Sequence, residues 1–152
     1  MVRRAGFTLL EMMFVMAIMA IGTALVLPSI EGGLTSREVN RAARRLVAIM
    51  HHLRGEAVAT GHPTLLRINQ YDNTIETVGG GRWDAFSERA VIESVRGASP
   101  AGEGIWDIQF FPNGSNSGAA IVLANRADHT RNRFLVTLDP LVGTVDISEA
   151  PL

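Results

Sequence analysis

The N-terminal segment most strongly constrains what this chain can form. Arg3 and Arg4 precede an apolar run from Phe7 to Ile30 in which Glu11 is the only charged residue. As an α-helix rising 1.5 Å per residue, residues 7–27 would be roughly 31 Å long, about the thickness of a bilayer's hydrocarbon core. The sequence therefore predicts a membrane-spanning helix. The two arginines keep its N-terminus in the cytoplasm by the positive-inside tendency.

Three kinds of targeting segment could contain such a run: an ordinary signal peptide, a plain signal anchor and a prepilin leader. An ordinary signal peptide has a short apolar core followed by an A-x-A cleavage site, whereas this run is longer and carries Ala17, Ala20 and Ala24 at helical spacing. A plain anchor does not explain Glu11, because an ionised acid in an apolar span costs on the order of 2.5 to 3.5 kcal/mol. The alternative for Glu11 is a position at headgroup level, in reach of water.

The residues from Arg3 to Glu11 (RRAGFTLLE), with the apolar run behind them, resemble the prepilin signal of type IV pilins and type II secretion pseudopilins. The resemblance implies that a prepilin peptidase cleaves after Gly6 and methylates the new N-terminus at Phe7, and that Glu11 is needed for assembly. Cleavage creates an α-ammonium group at Phe7, and a buried carboxylate is tolerated when it pairs with such a cation. Residues 1–6 would then be the leader peptide and residues 7–30 the transmembrane and assembly helix.

An amphipathic pattern follows from Ser36 to Thr60, with apolar residues at steps of three and four. Residues 31–62 are therefore predicted to continue the N-terminal helix, which Gly61 and Pro63 end. Arginines occupy the other faces, and we interpret them as a solvated surface, with anionic headgroups or neighbouring subunits as the alternative contact. These arginines are Arg37, Arg41, Arg44, Arg45 and Arg54.

Residues 63–152 have the period of a β domain. Short β-prone runs alternate with turn-rich pieces, and no helical pattern separates them, so the strands are predicted to be antiparallel. The fold class is α+β: a long N-terminal helix followed by an antiparallel, sandwich-like β-sheet domain. Residues 79–83, rich in glycine, are predicted to form a flexible loop. The predicted strands are 64–68, 75–78, 90–95, 105–111, 119–123, 134–138 and 144–147.

Two C-terminal segments, Phe110–Gly118 and Val136–Val145, are similar to the strand-turn-strand signatures of H-type minor pseudopilins and their FimT-like relatives. The resemblance implies a structural subunit of the periplasmic pseudopilus of a type II secretion system, near its tip. The implied partners are other major and minor pseudopilins, the prepilin peptidase, inner-membrane lipid and secreted substrates. The implied location is the bacterial inner membrane, with a single pass, a cytoplasmic N-terminus and a periplasmic β domain.

The sequence offers no catalytic residues, cofactor or metal site. It contains no cysteine, which excludes thiol chemistry and cysteine metal sites. Ser115 lies outside any nucleophile-elbow pattern and is interpreted as a turn residue. His51 and His52 point about 100° apart on a helix, and neither they nor His62 form the zinc spacing.

A local basic cluster supports the alternative function. Arg126, Arg131 and Arg133 lie in one segment, and such residues could contact the phosphates of DNA without sequence preference. The alternative is therefore a FimT-like minor pilin of a type IV pilus, acting in pilus assembly or DNA uptake. Asp128 dilutes the cluster, and no aromatic residue interleaves with it for base stacking. We favour a solvated loop for this segment.

Overall fold

The computed structural model describes residues 8–77, 81–83, 89–127, 129 and 132–150. Within these residues the chain forms one helix, α1 (Leu9–Thr60), and nine strands. The chain divides into two compact units, the second of which is Thr35–Leu152. The first unit contributes the N-terminal part of α1. In the part of the chain that the structure describes, no helix reaches the length and apolarity needed to cross a membrane, so the span expected over residues 7–30 is not confirmed.

In the second unit, α1 supports the globular domain through one apolar face. The six apolar residues predicted from their spacing are all buried: Val39, Ala43, Leu46, Met50, Leu53 and Ala57. Ala42 and Ile49 are buried beside them. The helix ends at Thr60, where Gly61 adopts a φ of 70° and donates its N–H to the carbonyl of Ala57 at 3.1 Å. A glycine in this left-handed conformation is the usual helix terminator, and Pro63 prevents continuation.

The strands form two antiparallel sheets. The first has the order β3-β2-β1-β6-β5 and the second the order β4-β7-β8-β9. One core of buried apolar side chains joins α1 to both sheets, with Phe110 as its largest fully buried side chain. This confirms the predicted α+β class. The strands are β1 (Thr64–Asn69), β2 (Thr74–Thr77), β3 (Gly81–Trp83), β4 (Ala90–Arg96), β5 (Ser99–Gly102), β6 (Ile105–Phe110), β7 (Ala119–Asn125), β8 (Phe134–Leu138) and β9 (Val145–Glu149).

The seven predicted strands correspond to β1, β2, β4, β6, β7, β8 and β9. Two strands were missed. The predicted flexible loop is wrong at Gly81–Trp83, which pairs with β2 as β3; Val78, Gly79 and Gly80 lie outside the described residues. β5 contains Pro100 and Gly102, which in the sequence are signals of a turn. Both segments are short edge strands, and their pairing rather than any local pattern defines them.

The turn between β1 and β2 ties the first sheet to the second. Asn73, buried and with a φ of 55°, donates to the carbonyl of Ala90 at 2.9 Å and accepts from the N–H of Ile92 at 2.8 Å. Gln70 donates to the carbonyl of Glu93 at 2.7 Å. These side chains satisfy backbone groups of β4 that a neighbouring strand would otherwise bind.

Candidate functional site

Of the N-terminal site residues predicted from the sequence, Glu11 lies in the first turn of α1. Gly6 and Phe7 lie outside the described residues. The N–H of Glu11 donates to the hydroxyl of Thr8 at 3.3 Å and to its carbonyl at 3.1 Å. Thr8 therefore occupies the N-cap position and Glu11 the third helical position, which is the T-x-x-E spacing of a capping box.

This geometry gives Glu11 a local role that the sequence analysis missed. A carboxylate in the first helical turn is stabilised by the positive end of the helix dipole. The signal was present in the sequence, because Thr8 and Glu11 have capping spacing directly before an apolar run. Interaction with the helix dipole and pairing with a neighbour's cation are therefore two separable hypotheses for the Glu11 side chain.

Beyond Glu11, the first unit exposes an apolar surface of unusual extent. Large apolar side chains on every side of the helix are at least two-fifths exposed, up to 81% for Leu9. A helix that is apolar all round is normally covered, either by protein or by lipid. This segment therefore needs a partner surface. The exposed residues are Leu9, Leu10, Met12, Met13, Phe14, Val15, Met16, Ile18, Met19 and Ile21.

In the second unit, the two C-terminal segments singled out in the sequence meet at one corner. The side-chain amide of Asn116 donates to the carbonyl of Asp139 at 2.7 Å, and its backbone N–H donates to the carbonyl of Pro140 at 3.3 Å. Asn116 is buried. It therefore joins the turn that follows β6 to the turn between β8 and β9.

Arg54 on α1 fastens this corner to the helix. Its Nε donates to the carbonyl of Gly114 at 2.8 Å, and its Nη2 reaches the carbonyl of Val142 at 3.5 Å. The interpretation of Arg54 as part of a solvated face is therefore wrong. It lies next to the buried Leu53, at the border of the apolar face, where a long side chain reaches the loops. Arg37, Arg41, Arg44 and Arg45 are exposed, as predicted.

We expect Arg54→Ala to lower the free energy of unfolding by about 1.5 to 2 kcal/mol, because carbonyl groups bonded to a charged donor lose their partner. Arg45→Ala is the matched control on the same helix. Its side chain is exposed, so it should change stability by less than about 0.5 kcal/mol. Urea unfolding of the full chain in mild detergent, followed by tryptophan fluorescence, measures both. Equal losses for the two variants would contradict the role of Arg54.

The turn between β8 and β9 is organised by Asp139. Its Oδ1 accepts the N–H groups of Leu141 at 2.8 Å and Val142 at 2.9 Å. These two bonds, first from Val142 and then from Leu141, hold the pKa of the carboxyl below its ordinary value of 3.8. The turn presents Leu141 and Val142 to solvent, with 89% and 64% of their surface exposed.

The lowered pKa of Asp139 predicts an acid-dependent loss of stability. The stability that the ionised carboxylate of Asp139 contributes is complete above its unfolded pKa near 3.8. It is lost as the pH falls through the lower pKa of the folded state. Asp139→Asn keeps an oxygen acceptor and removes the titration. We expect the difference in unfolding free energy between wild type and this variant to be constant from pH 7 to about pH 5 and to shrink below about pH 4. Urea titrations at each pH measure it, and a pH-independent difference would contradict the prediction.

The basic cluster is divided by the fold. Arg133 forms a two-bond ion pair with Glu93, at 2.8 Å and 2.9 Å, and its side chain is only 20% exposed. Arg126 is exposed, and its N–H donates to the carbonyl of Arg89 at 2.8 Å. Arg131 and Asp128 lie outside the described residues. The carboxylate of Glu93 neutralises one of the three arginines proposed to contact DNA.

The side chains that were considered for catalysis make contacts within their own turns. The hydroxyl of Ser115 donates to Asn113 Oδ1 at 2.7 Å inside its turn, and the Nδ1 atom of His62 lies 2.9 Å from the carbonyl of Thr60. Among the residues that the structure describes, no three metal-ligating side chains cluster.

A cavity of about 390 Å³ lies on the second sheet. Its lining residues are Ser94, Arg96, Ala120, Val122, Arg133, Leu135 and Ala150.

Comparison with known proteins identifies the family. Residues 1–27 match the prokaryotic N-terminal methylation motif, and residues 42–140 match the type II transport protein GspH family. The chain belongs to the GspH family. It is 29% identical over 118 residues to the type II secretion system protein H of Xanthomonas campestris, covering 78% of this chain and 70% of that protein.

Solved structures share the fold. The minor pseudopilin EpsH from the type 2 secretion system of Vibrio cholerae superposes with a TM-score of 0.58 at 14% identity, covering 74% of this chain and 97% of EpsH. The type IV minor pilin FimU of Pseudomonas aeruginosa superposes with a TM-score of 0.54 at 13% identity, covering 72% and 91%. At these identities the superpositions establish the fold alone.

Family membership defines the class of protein. The chain is a structural pseudopilin of a type II secretion system and not an enzyme, as the sequence resemblance implied. The family implies interaction with other pseudopilins of the pseudopilus. Together with the methylation motif, it also implies anchoring in the inner membrane and a periplasmic domain.

Proposed function

We propose that this chain is a minor pseudopilin that is processed at Gly6 and Phe7 and assembles near the tip of a periplasmic pseudopilus to support protein export. The observation that carries the proposal is a methylation motif over residues 1–27 followed by a GspH match over residues 42–140 in one chain. The N-terminal motif supplies the means of assembly. The domain that matches GspH supplies the surface that distinguishes this subunit from its neighbours.

Processing is the first step of the proposed mechanism. The prepilin peptidase cuts after Gly6 and methylates the new α-amino group at Phe7. Within the assembled filament, Glu11 pairs with the α-ammonium of a neighbouring subunit. The position of Glu11 supports this arrangement, because its backbone N–H is bonded to Thr8 and its side chain therefore projects from the first turn of α1, close to the end at which subunits would meet.

The subunit uses the same apolar surface of α1 in the membrane before assembly and in the filament afterwards. Before assembly, inner-membrane lipid covers the exposed residues between Leu9 and Ile21, with the N-terminus in the cytoplasm and a single pass. On assembly, the helices of other major and minor pseudopilins replace the lipid. Because both surroundings are apolar, this exchange has no large hydrophobic cost and depends on packing and on the Glu11 pair.

The globular domain provides the specific contacts of the subunit, either with other minor pseudopilins or with secreted substrates. The corner is tied together by hydrogen bonds of Arg54 and Asn116, and it exposes Leu141 and Val142. Surface apolar residues on a fixed turn are suited to contact a partner. For the DNA-uptake alternative, the ion pair between Arg133 and Glu93 removes one expected phosphate contact.

Deletion of the gene tests the proposed function. The deletion strain should lose most of the extracellular activity of proteins exported by the type II pathway, and a plasmid copy should restore it. Matched assays of DNA uptake and pilus-dependent motility in the same strain are the controls. Intact export combined with lost DNA uptake would contradict the proposal and favour the minor-pilin alternative.

A further inference from the structure

The four lateral edges of the two sheets are not equally protected. An exposed strand edge presents unpaired N–H and C=O groups and is a template for another strand. In the first sheet the edges are β3, with three residues, and β5, which is interrupted by Pro100 and a register shift. In the second sheet, the outer edge of β4 is capped by Asn73 and Gln70.

The edge formed by β9 has none of these protections. β9 runs from Val145 to Glu149, contains no proline, and pairs with β8 without a register shift. Within the described part of the chain, no strand pairs with its other side. A further strand added here would extend an existing four-stranded ladder.

The register shows which backbone groups of β9 face outward. The N–H of Asp139 donates to the carbonyl of Thr144 at 3.0 Å, and the N–H of Ala150 donates to the carbonyl of Arg133 at 3.0 Å. In an antiparallel pair the hydrogen-bonding direction alternates from one residue to the next. Even-numbered residues of β9 therefore bond to β8. The outward groups belong to Val145, Ile147 and Glu149.

The side chains of β9 indicate the chemistry of a strand that would pair with it. Val145 and Ile147 pack against the core and hold the strand in place. Asp146 and Glu149 are exposed, and between Asp139 and Glu149 the sequence has no lysine or arginine. Opposite charges on neighbouring strands stabilise their pairing, and like charges destabilise it.

We propose that the outer edge of β9 binds an extended segment of a partner protein as a fifth strand, with one lysine or arginine beside Asp146 on one face of the sheet and another beside Glu149 on the opposite face. Backbone bonds to Val145, Ile147 and Glu149 hold that segment, and its basic side chains select it. A second copy of this chain is the wrong occupant, because pairing of two β9 strands gathers four acidic side chains on one short ribbon. The inference rests on the sheet edge and goes beyond the proposed function.

Amide hydrogen exchange on the full chain in detergent micelles tests this proposal. Without ligand, the amides of Val145, Ile147 and Glu149 should exchange rapidly, whereas those of Asp146 and Ser148 should be protected by β8. The probe is the acetylated and amidated hexapeptide Val-Arg-Val-Val-Arg-Val, whose two arginines are three positions apart and face opposite sides of an added strand, as Asp146 and Glu149 do. At about 1 mM it should slow the three outward amides by about tenfold or more, since each gains a hydrogen-bonded partner.

The matched control is the same peptide with glutamate in place of arginine, which should give no protection. The double variant Asp146→Lys/Glu149→Lys should reverse the preference between the two peptides. Absence of protection by either peptide would overturn the proposal, as would equal protection by both. Protection that depends on protein concentration without peptide would identify a second copy as the occupant and would also overturn it. None of these outcomes bears on processing at Phe7.

Discussion

Gly143→Ala is expected to lower the free energy of unfolding of the globular domain by about 3 kcal/mol, from strain and from steric overlap. Gly143 has a φ of 70°. A Cβ atom there would lie 2.5 Å from the carbonyl oxygen of Gly114 and 2.9 Å from Nε of Arg54. The variant would therefore also disturb the bond by which Arg54 holds the corner. Urea unfolding of the full chain in detergent measures the loss.

Gly61→Ala is the control for Gly143→Ala. Gly61 has the same φ of 70°, but nothing lies within 4 Å of the position of a Cβ. The free energy of unfolding of Gly61→Ala should fall only by the cost of a left-handed backbone conformation for alanine, about 1 kcal/mol. The difference between the two variants isolates the close packing of the two turns and Arg54. Equal losses for both variants would show that the corner is looser than the structure indicates.

Glu11→Gln is expected to reduce incorporation into the pseudopilus at least about tenfold, because a neutral amide leaves the neighbour's α-ammonium without a counter-charge in apolar surroundings. Glutamine is also accepted at the third position of a capping box, so the start of α1 should persist. The measurement compares the fraction of subunit that is chemically cross-linked to other pseudopilins in cells producing each variant. Circular dichroism of the purified chain monitors its helix content.

Thr8→Val separates the capping role of the first turn from its charge. It removes the hydroxyl that accepts the N–H of Glu11, at a cost of about 1 kcal/mol to the first turn. It leaves the carboxylate in place, so the subunit should still assemble. If Glu11→Gln assembles like the wild type and Thr8→Val does not, then capping rather than ion pairing is the contribution of this end of the helix.

Much of the fold is accessible from the sequence because it depends on short-range periodicity. The apolar residues from Val39 to Ala57 repeat at helical spacing, and the stop at Gly61 is a local backbone property. β6, β7 and β8 combine β-prone residues with clear turn signals. β3 and β5 could not be found in this way, because three or four residues contain too little pattern and their pairing partners define them.

The polar contacts between distant segments could not be predicted from the sequence for a different reason. Arg54 and Gly114 are 60 residues apart, and Arg133 and Glu93 are 40 residues apart. Helical periodicity alone makes Arg54 an ordinary surface residue. Only the folded chain brings a loop carbonyl within its reach, and only the fold brings Glu93 beside a segment that otherwise has the appearance of a basic patch.

The intact mass and N-terminal sequence of the protein purified from its native membrane test the central proposal most directly. A chain that begins at methylated Phe7 is the predicted result, and it would establish cleavage after Gly6 and methylation of the new N-terminus. A chain that still begins at Met1 would contradict processing and reduce the N-terminus to a plain anchor. Cleavage beyond residue 20 would contradict the pseudopilin mechanism and favour a secreted protein.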